Sequence, residues 1–309
     1  MANTKRNKPY MKGFLPVGQG HKLYFECCGN RSGPSVLYLH GGPGAGFDDD
    51  DKTYFDLKKL NVILFDQRGA GRSTPFASIK NNTTDHLITD INKLLDHLHI
   101  KHAFIFGGSW GSTLALIYTI RNPKRVTGLL LRGIYLATKK ENKFYVGGGV
   151  AKFFPDEFEK FIENVPKGQE PQRYYLQMMR SKDRKTREKF AYAWTRYELS
   201  ILKLQMTDQK IKKAMKKYNY ISIGTLEAHY LSQGCFIPGG YILRHAGKIK
   251  VPVSIVQGRY DMICPPEAAW DLHKRISQSK LHLVFGGHSS SEPALKKKLV
   301  SEMKRMPYE

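Results

Sequence analysis

The chain has 309 residues, 41% of them hydrophobic and 12% aromatic, which suits a globular protein with a substantial core and room for one elaboration. Its formal net charge of +23 raises the question of an anionic partner. The lysines, however, fall in short scattered groups such as Lys58-Lys59, Lys212-Lys213 and Lys296-Lys297-Lys298, and no nucleic-acid motif accompanies them, so a solvated lysine-rich surface is the preferred reading.

In chain order, the basic start Met1-Ala-Asn-Thr-Lys-Arg-Asn-Lys8 is followed by no apolar stretch; no secretory signal is expected, and a cytoplasmic location follows as the default. Cys27 and Cys28 are neighbours, so their side chains point to opposite faces if the segment is extended. With Cys235 and Cys264 they read as buried thiols, not a disulfide framework. Ser35-Val-Leu-Tyr-Leu-His40 predicts a buried strand running into a glycine cluster, and Asn61-Val-Ile-Leu-Phe-Asp66 a second. Thr84 is the expected N-cap of a helix whose apolar residues Leu87, Ile88, Ile91, Leu94, Leu95 and Leu98 recur at helical spacing. A strand at His102-Ala-Phe-Ile-Phe106, a helix over 112–120 and a strand within 125–135 follow. The apolar segment 126–135 is strand-sized, and no run is long enough to span a bilayer. Such alternation predicts a mostly parallel sheet covered by helices on both faces.

From 136 to 240 the sequence turns rich in Lys, Glu, Phe, Tyr and Met, with helical periodicity and no confident strand. Strands and helices resume at Val251-Pro-Val-Ser-Ile-Val256, 268–276, Lys280-Leu-His-Leu-Val-Phe285 and a last helix after Ser291. The expected organisation is therefore a core in two pieces, 1–135 and 241–309, with a helical cap inserted at 136–240.

Gly107-Gly-Ser-Trp-Gly111 is a G-x-S-x-G sequence with a strand before it and a helix after it, the context in which this motif presents a nucleophile on a sharp turn. A serine hydroxyl needs a base, and the base needs a group that orients it. Asp261, after the strand ending at Gln257, and His288, after the strand ending at Phe285, supply them in the order this architecture requires. Acyl transfer also needs donors for the developing oxyanion, and the loop His40-Gly-Gly-Pro-Gly44 points to the backbone amides of Gly42 and Trp110. That loop lacks the Lys and Ser/Thr of a phosphate-binding loop. No Cys/His spacing suggests zinc, and the strand-then-loop context of His282 and His288 argues against a shared metal.

These segments, together with Asp66-Gln-Arg-Gly-Ala-Gly-Arg-Ser73, Gly258-Arg-Tyr-Asp261, Leu131-Arg-Gly-Ile134 and Ala269-Trp-Asp-Leu-His273, resemble the proline iminopeptidase (prolyl aminopeptidase) family from about Gly13 to Pro293. The resemblance implies an α/β-hydrolase fold and a serine exopeptidase that releases N-terminal proline through a prolyl-enzyme. It matches Glu198 and Glu227 to the two glutamates that hold the substrate's amino group, and Arg132, Tyr135 and Tyr145 to positions lining the proline pocket. Coupled titration of the two glutamates, with one shared proton in the empty enzyme, is expected. The sequence departs from the family at Tyr197, Ala228, Leu231 and Ser290-Ser291, which touches the breadth of the pocket and not the triad.

Peptides with an N-terminal proline are thus the expected partners, with no metal, organic cofactor, specific nucleic acid or membrane insertion, and with self-association into a homo-oligomer left open. A serine esterase or broader aminopeptidase is the nearest alternative. A basic-surface binding protein for anionic polymers is the alternative from another class. An epoxide hydrolase or dehalogenase is disfavoured, because those enzymes carry Asp where this chain has Ser109.

Overall fold

The computed structural model describes residues 8–305 and 307; the basic start discussed above lies, apart from Lys8, outside the described residues. Eight strands form one sheet: β1 (Met11–Gly18), β2 (His21–Gly29), β3 (Ser35–Leu39), β4 (Asn61–Phe65), β5 (Ala103–Gly108), β6 (Val126–Arg132), β7 (Val253–Gly258) and β8 (Ser279–Val284). Their spatial order is β1-β2-β4-β3-β5-β6-β7-β8. The pairs β1–β2 and β2–β4 are antiparallel, and every later pair is parallel. Around and between the strands run α1 (Thr84–His97), α2 (Trp110–Arg121), α3 (Lys139–Tyr145), α4 (Pro155–Ile162), α5 (Pro171–Met179), α6 (Arg184–Ile201), α7 (Asp208–Met215), α8 (Tyr220–Ser232), α9 (Tyr241–His245), α10 (Pro266–Arg275) and α11 (Pro293–Met303).

The period of two along each strand builds two separate cores. Ala103 and Ile105 of β5 face a cluster with α1, α2, α9 and α10, whereas Phe104 and Phe106 face one with α11. Cys27 and Cys28 divide in the same way between the two clusters, and all four cysteines are free and buried. A third cluster lies in the helices between β6 and β7. There Phe161 stacks on Tyr197 at 4.2 Å and on Tyr175 at 4.8 Å, with Trp194 edge-on to both Phe161 and Tyr175 at 5.5 Å. Each such pair contributes about 0.5–1.5 kcal/mol beyond its buried area. Among the described residues, no helix is long and apolar enough to cross a membrane.

Two features differ from the sequence analysis. The hairpin β1–β2 precedes the first predicted strand; β1 is an edge strand with mostly exposed side chains, so burial imposed little alternation on it. The cap of α1 is Thr83, not Thr84. Thr83 has the extended backbone of an N-cap and accepts the His86 amide, while Thr84 is the first helical residue and its hydroxyl donates to the Cys235 carbonyl at 2.6 Å.

Beneath the loop after β4, Arg68 grips Asp90 of α1 in a two-pronged pair (Nε to Oδ2 2.6 Å, Nη2 to Oδ1 2.8 Å), with both side chains buried. A further Arg68 nitrogen donates to the Asn81 carbonyl. Removing one partner leaves a buried charge alone, so Asp90→Asn is expected to lower unfolding free energy by about 3–5 kcal/mol in urea denaturation; a loss under about 1 kcal/mol would mean that water reaches Arg68.

Candidate active site

Ser109 stands between β5 and α2 with φ +58° and ψ −126°, a conformation that non-glycine residues rarely adopt. The flanking residues allow it. A Cβ on Gly111 would drive into the Leu39 carbonyl oxygen, and one on Gly107 into the Gly111 carbonyl oxygen, so strand and helix cross here at backbone contact. The Ser109 amide donates to the Arg132 carbonyl of β6 at 2.8 Å, which pins the turn to the neighbouring strand.

The hydroxyl of Ser109 is 3.0 Å from His288 Nε2, and His288 Nδ1 is 2.8 Å from Asp261 Oδ2. The structure therefore brings the three predicted residues together from the C-terminal ends of β5, β7 and β8. Asp261 accepts from four directions: the amides of Ile263 and Cys264 at Oδ1, and Gln257 Nε2 and His288 at Oδ2. Those donors hold it as a buried acceptor aimed at the imidazole. Such a chain can draw the serine proton to Nε2 while the carboxylate stabilises the imidazolium. The Cys264 thiol also reaches Ser109, and burial and the Asp261 charge push it well above the usual thiol range.

Opposite the serine lies the loop after β3. A methyl placed on Gly41 would sit 3.2 Å from Ser109 Cβ, so this loop lies directly against the nucleophile. Gly42 follows, and Trp110 opens α2, where an amide has no acceptor within its own helix. Gln67 ties the two together: its amide N–H donates to His40 Nε2, its side-chain Nε2 to the His40 carbonyl, and its Oε1 accepts from Trp110 Nε1 at 2.9 Å. Burial lowers the proton affinity of His40, in keeping with a neutral ring that accepts at Nε2. Gln67 and Gln257 are support residues that the sequence reading missed. Each follows or ends a strand beside a motif, a weak signal for a residue whose function is to satisfy buried polar groups.

The helical insertion closes on this site at two points. The Ser222 hydroxyl of α8 donates to the Gly44 carbonyl at 2.8 Å, and Gly44 (φ +111°) admits α8 so closely that a Cβ would meet the Ser222 carbonyl. At the end of α6, the Leu202 carbonyl accepts the amides of both His288 and Ser289 at 3.0 Å.

Glu198 of α6, half-buried, and Glu227 of α8, buried, face each other within the insertion. Burial pushes Glu198 up to about 7, and burial with the Glu198 charge pushes Glu227 well above the carboxylate range. The pair titrates as a unit. The hydroxyl of Tyr145 lies buried near both carboxyl groups and has no hydrogen-bond partner among the described residues. Arg132 Nη1 approaches His288 Nε2 and the His288 carbonyl, both at 3.0 Å, and its charge acts on Glu198. The Tyr135 hydroxyl donates to Asn142 Oδ1 at 2.6 Å. Tyr197, one of the departures from the family pattern, donates to the Tyr145 carbonyl at 2.7 Å and belongs to the aromatic core, as do Ala228 and Leu231.

A strained serine between strand and helix, bonded to a histidine backed by a carboxylate on a mostly parallel sheet, has the form of a hydrolase of the α/β class, and residues 34–293 match the alpha/beta hydrolase fold family. A solved esterase from Exiguobacterium antarcticum shares that fold at a TM-score of 0.66 and 20% identity, with 96% of this chain and 98% of the esterase covered. The chain is also 40% identical over 305 residues to the proline iminopeptidase of Arabidopsis thaliana, covering 97% of this chain and 80% of that protein. It is 40% identical to a probable proline iminopeptidase of Leptolyngbya boryana, covering 96% and 94% respectively. The chain belongs to the proline iminopeptidase family.

Because Gly111 sits at backbone contact with β3, Gly111→Ala is expected to destabilise the fold by about 1–3 kcal/mol or more and to abolish labelling of Ser109 by a fluorophosphonate probe. Full labelling with unchanged thermal stability would show that the crossing has slack.

Proposed function

We propose that the protein is a serine exopeptidase that releases proline from the N-terminus of peptides, with Ser109, His288 and Asp261 as its triad and residues 136–240 as a cap over the site. The observation that carries this reading is the carboxyl pair of half-buried Glu198 and buried Glu227 on the insertion that also touches the His288 loop. Anionic groups withdrawn from water require a cation, and the cost of leaving them unpaired is high. A peptide's terminal ammonium is such a cation, and that of proline, a secondary amine, offers two N–H donors to two carboxyl groups. The Tyr145 ring and the aromatic cluster behind it suit the apolar ring carbons. The names of the relatives agree with this substrate.

In this reaction Ser109 Oγ attacks the prolyl carbonyl carbon as its proton passes to His288 Nε2, and the oxyanion falls to the amides of Gly42 and Trp110. His288 returns the proton to the leaving amine as the peptide bond breaks. Water then gives a proton to His288 Nε2 and its oxygen to the acyl carbon, and His288 passes that proton to Ser109 Oγ as the acyl–serine bond breaks, releasing proline. Throughout, Asp261 keeps the imidazole in the productive tautomer. Arg132 touches His288 and its charge acts on Glu198.

Release of p-nitroaniline from prolyl-p-nitroanilide is expected to fall by about 10⁴-fold or more in Ser109→Ala; equal rates in the two proteins would overturn the assignment. Glu198→Gln and Glu227→Gln are each expected to lose prolyl-anilide turnover while keeping hydrolysis of p-nitrophenyl acetate, and parallel loss of both activities would favour an esterase.

The pair also sets a pH dependence. Glu198 faces Glu227, with Arg132, Tyr145 and Tyr218 acting on one or the other. Since its pKa is raised to about 7, the ammonium-binding carboxylate forms only as pH rises through that value. Accordingly, 1/KM for prolyl-anilide should increase with pH through about 7, and this limb should vanish in Glu198→Gln; a limb unchanged in the variant would assign it elsewhere.

A further inference from the structure

Trp194 has no part in the mechanism above, yet it touches the carboxyl pair. It is completely buried within the aromatic cluster, edge-on to Tyr145, Phe161 and Tyr175, and its indole N–H donates to Glu227 Oε2 at 2.5 Å. A buried tryptophan commonly satisfies its N–H with a neutral acceptor, as Trp110 does with Gln67. Here the acceptor is an ionisable side chain, itself only 4% exposed. An indole nitrogen is a donor only. It therefore claims a lone pair on one oxygen of Glu227, strengthens as that carboxyl becomes ionised, and cannot invert to accept a proton.

Geometry adds a second point. Trp194 and Glu198 are one helical turn apart on α6, so they share a helix face. One rigid element thus presents Glu198 directly and grips Glu227, which belongs to α8, through the indole. The ring is fixed by its aromatic neighbours, and the carboxyl group it holds has its remaining oxygen free to meet Glu198 or a ligand.

We propose that Trp194 is a positioning residue for the ammonium site: it locks the Glu227 carboxyl plane and keeps an acceptor oxygen aimed at the substrate's charged nitrogen. This rests on the reading of Glu198 and Glu227 as the ammonium receptor. Its consequences fall on the binding of the cation and not on acyl transfer, which takes place at Ser109. Trp194→Phe removes the donor and retains a ring in the cluster.

The test uses pyrrolidine, a cation with the ring and secondary nitrogen of proline, as a competitive inhibitor of p-nitrophenyl acetate hydrolysis. Trp194→Phe is expected to raise the inhibition constant about tenfold, the scale of one charge-assisted hydrogen bond, with ester turnover unchanged. In a Glu227→Gln background the same substitution should add less than about twofold, because the shared interaction is already gone. An unchanged inhibition constant in Trp194→Phe, or an equal loss of ester hydrolysis, would overturn the positioning role. This assay does not depend on peptide cleavage. Pyrrolidine inhibition abolished by Glu227→Gln, combined with no turnover of prolyl-anilide by the wild type, would overturn the exopeptidase reading and leave the role of Trp194 measured.

A second measurement covers a variant that fails to fold. In wild-type protein labelled with ¹⁵N at tryptophan, the chain's three indoles give three N–H signals. That of Trp194 should lie downfield and move on addition of pyrrolidine, whereas Trp110 and Trp270 hold still. A Trp194 signal that ignores the cation at saturation would contradict the proposal.

Discussion

Everything in this site depends on one steric constraint, the crossing of β3, β5 and α2 at backbone contact around Ser109. Side chains at Gly107 or Gly111 would force the elements apart, since each Cβ would meet a backbone carbonyl. With them absent, the serine can take up its left-handed φ of +58° and stand clear of both elements. The strain, of order 1–3 kcal/mol, is carried by the two fully buried cores that hold β5 and α2 in place. From that point the placement of His288 and the Gly42 loop follows, because parallel strands deliver their C-terminal loops to one edge of the sheet.

The second constraint is electrostatic. A buried carboxyl group beside an aromatic cluster is costly, and this chain places Glu227 there against a donor indole, with half-buried Glu198 facing it. The same helix, α6, carries Trp194 and Glu198, and the Leu202 carbonyl just beyond its end holds the amides of the His288 loop. A path along helix α6 therefore runs from the carboxyl pair to the backbone of the His288 loop. The path is short and built of backbone, so a displacement of the insertion would be felt at the base.

Much of this was legible in the sequence. The parallel strands showed as apolar runs because both faces of the sheet are covered, and the elbow, Asp261 and His288 stood out because each follows such a run. The resemblance to a family, and not periodicity, singled out Glu198 and Glu227; on a helix surface either would pass for a solvated residue. The edge strand β1 was not legible, because burial imposed little pattern on it. Gln67, Gln257 and Trp194 escaped for a different reason. Each acts by pairing with a polar group brought near only by tertiary folding, and nothing local marks such a partner.

The central claim is that the Glu198–Glu227 carboxyl pair receives a free terminal ammonium and so restricts Ser109 to the first peptide bond. The direct measurement compares kcat/KM for a short peptide beginning with proline and for the same peptide N-acetylated. Acetylation removes the charge without altering the ring or the scissile bond. The account predicts at least about a 10³-fold loss, the scale expected when a buried charged group is left unpaired. Comparable rates for the two peptides would contradict it.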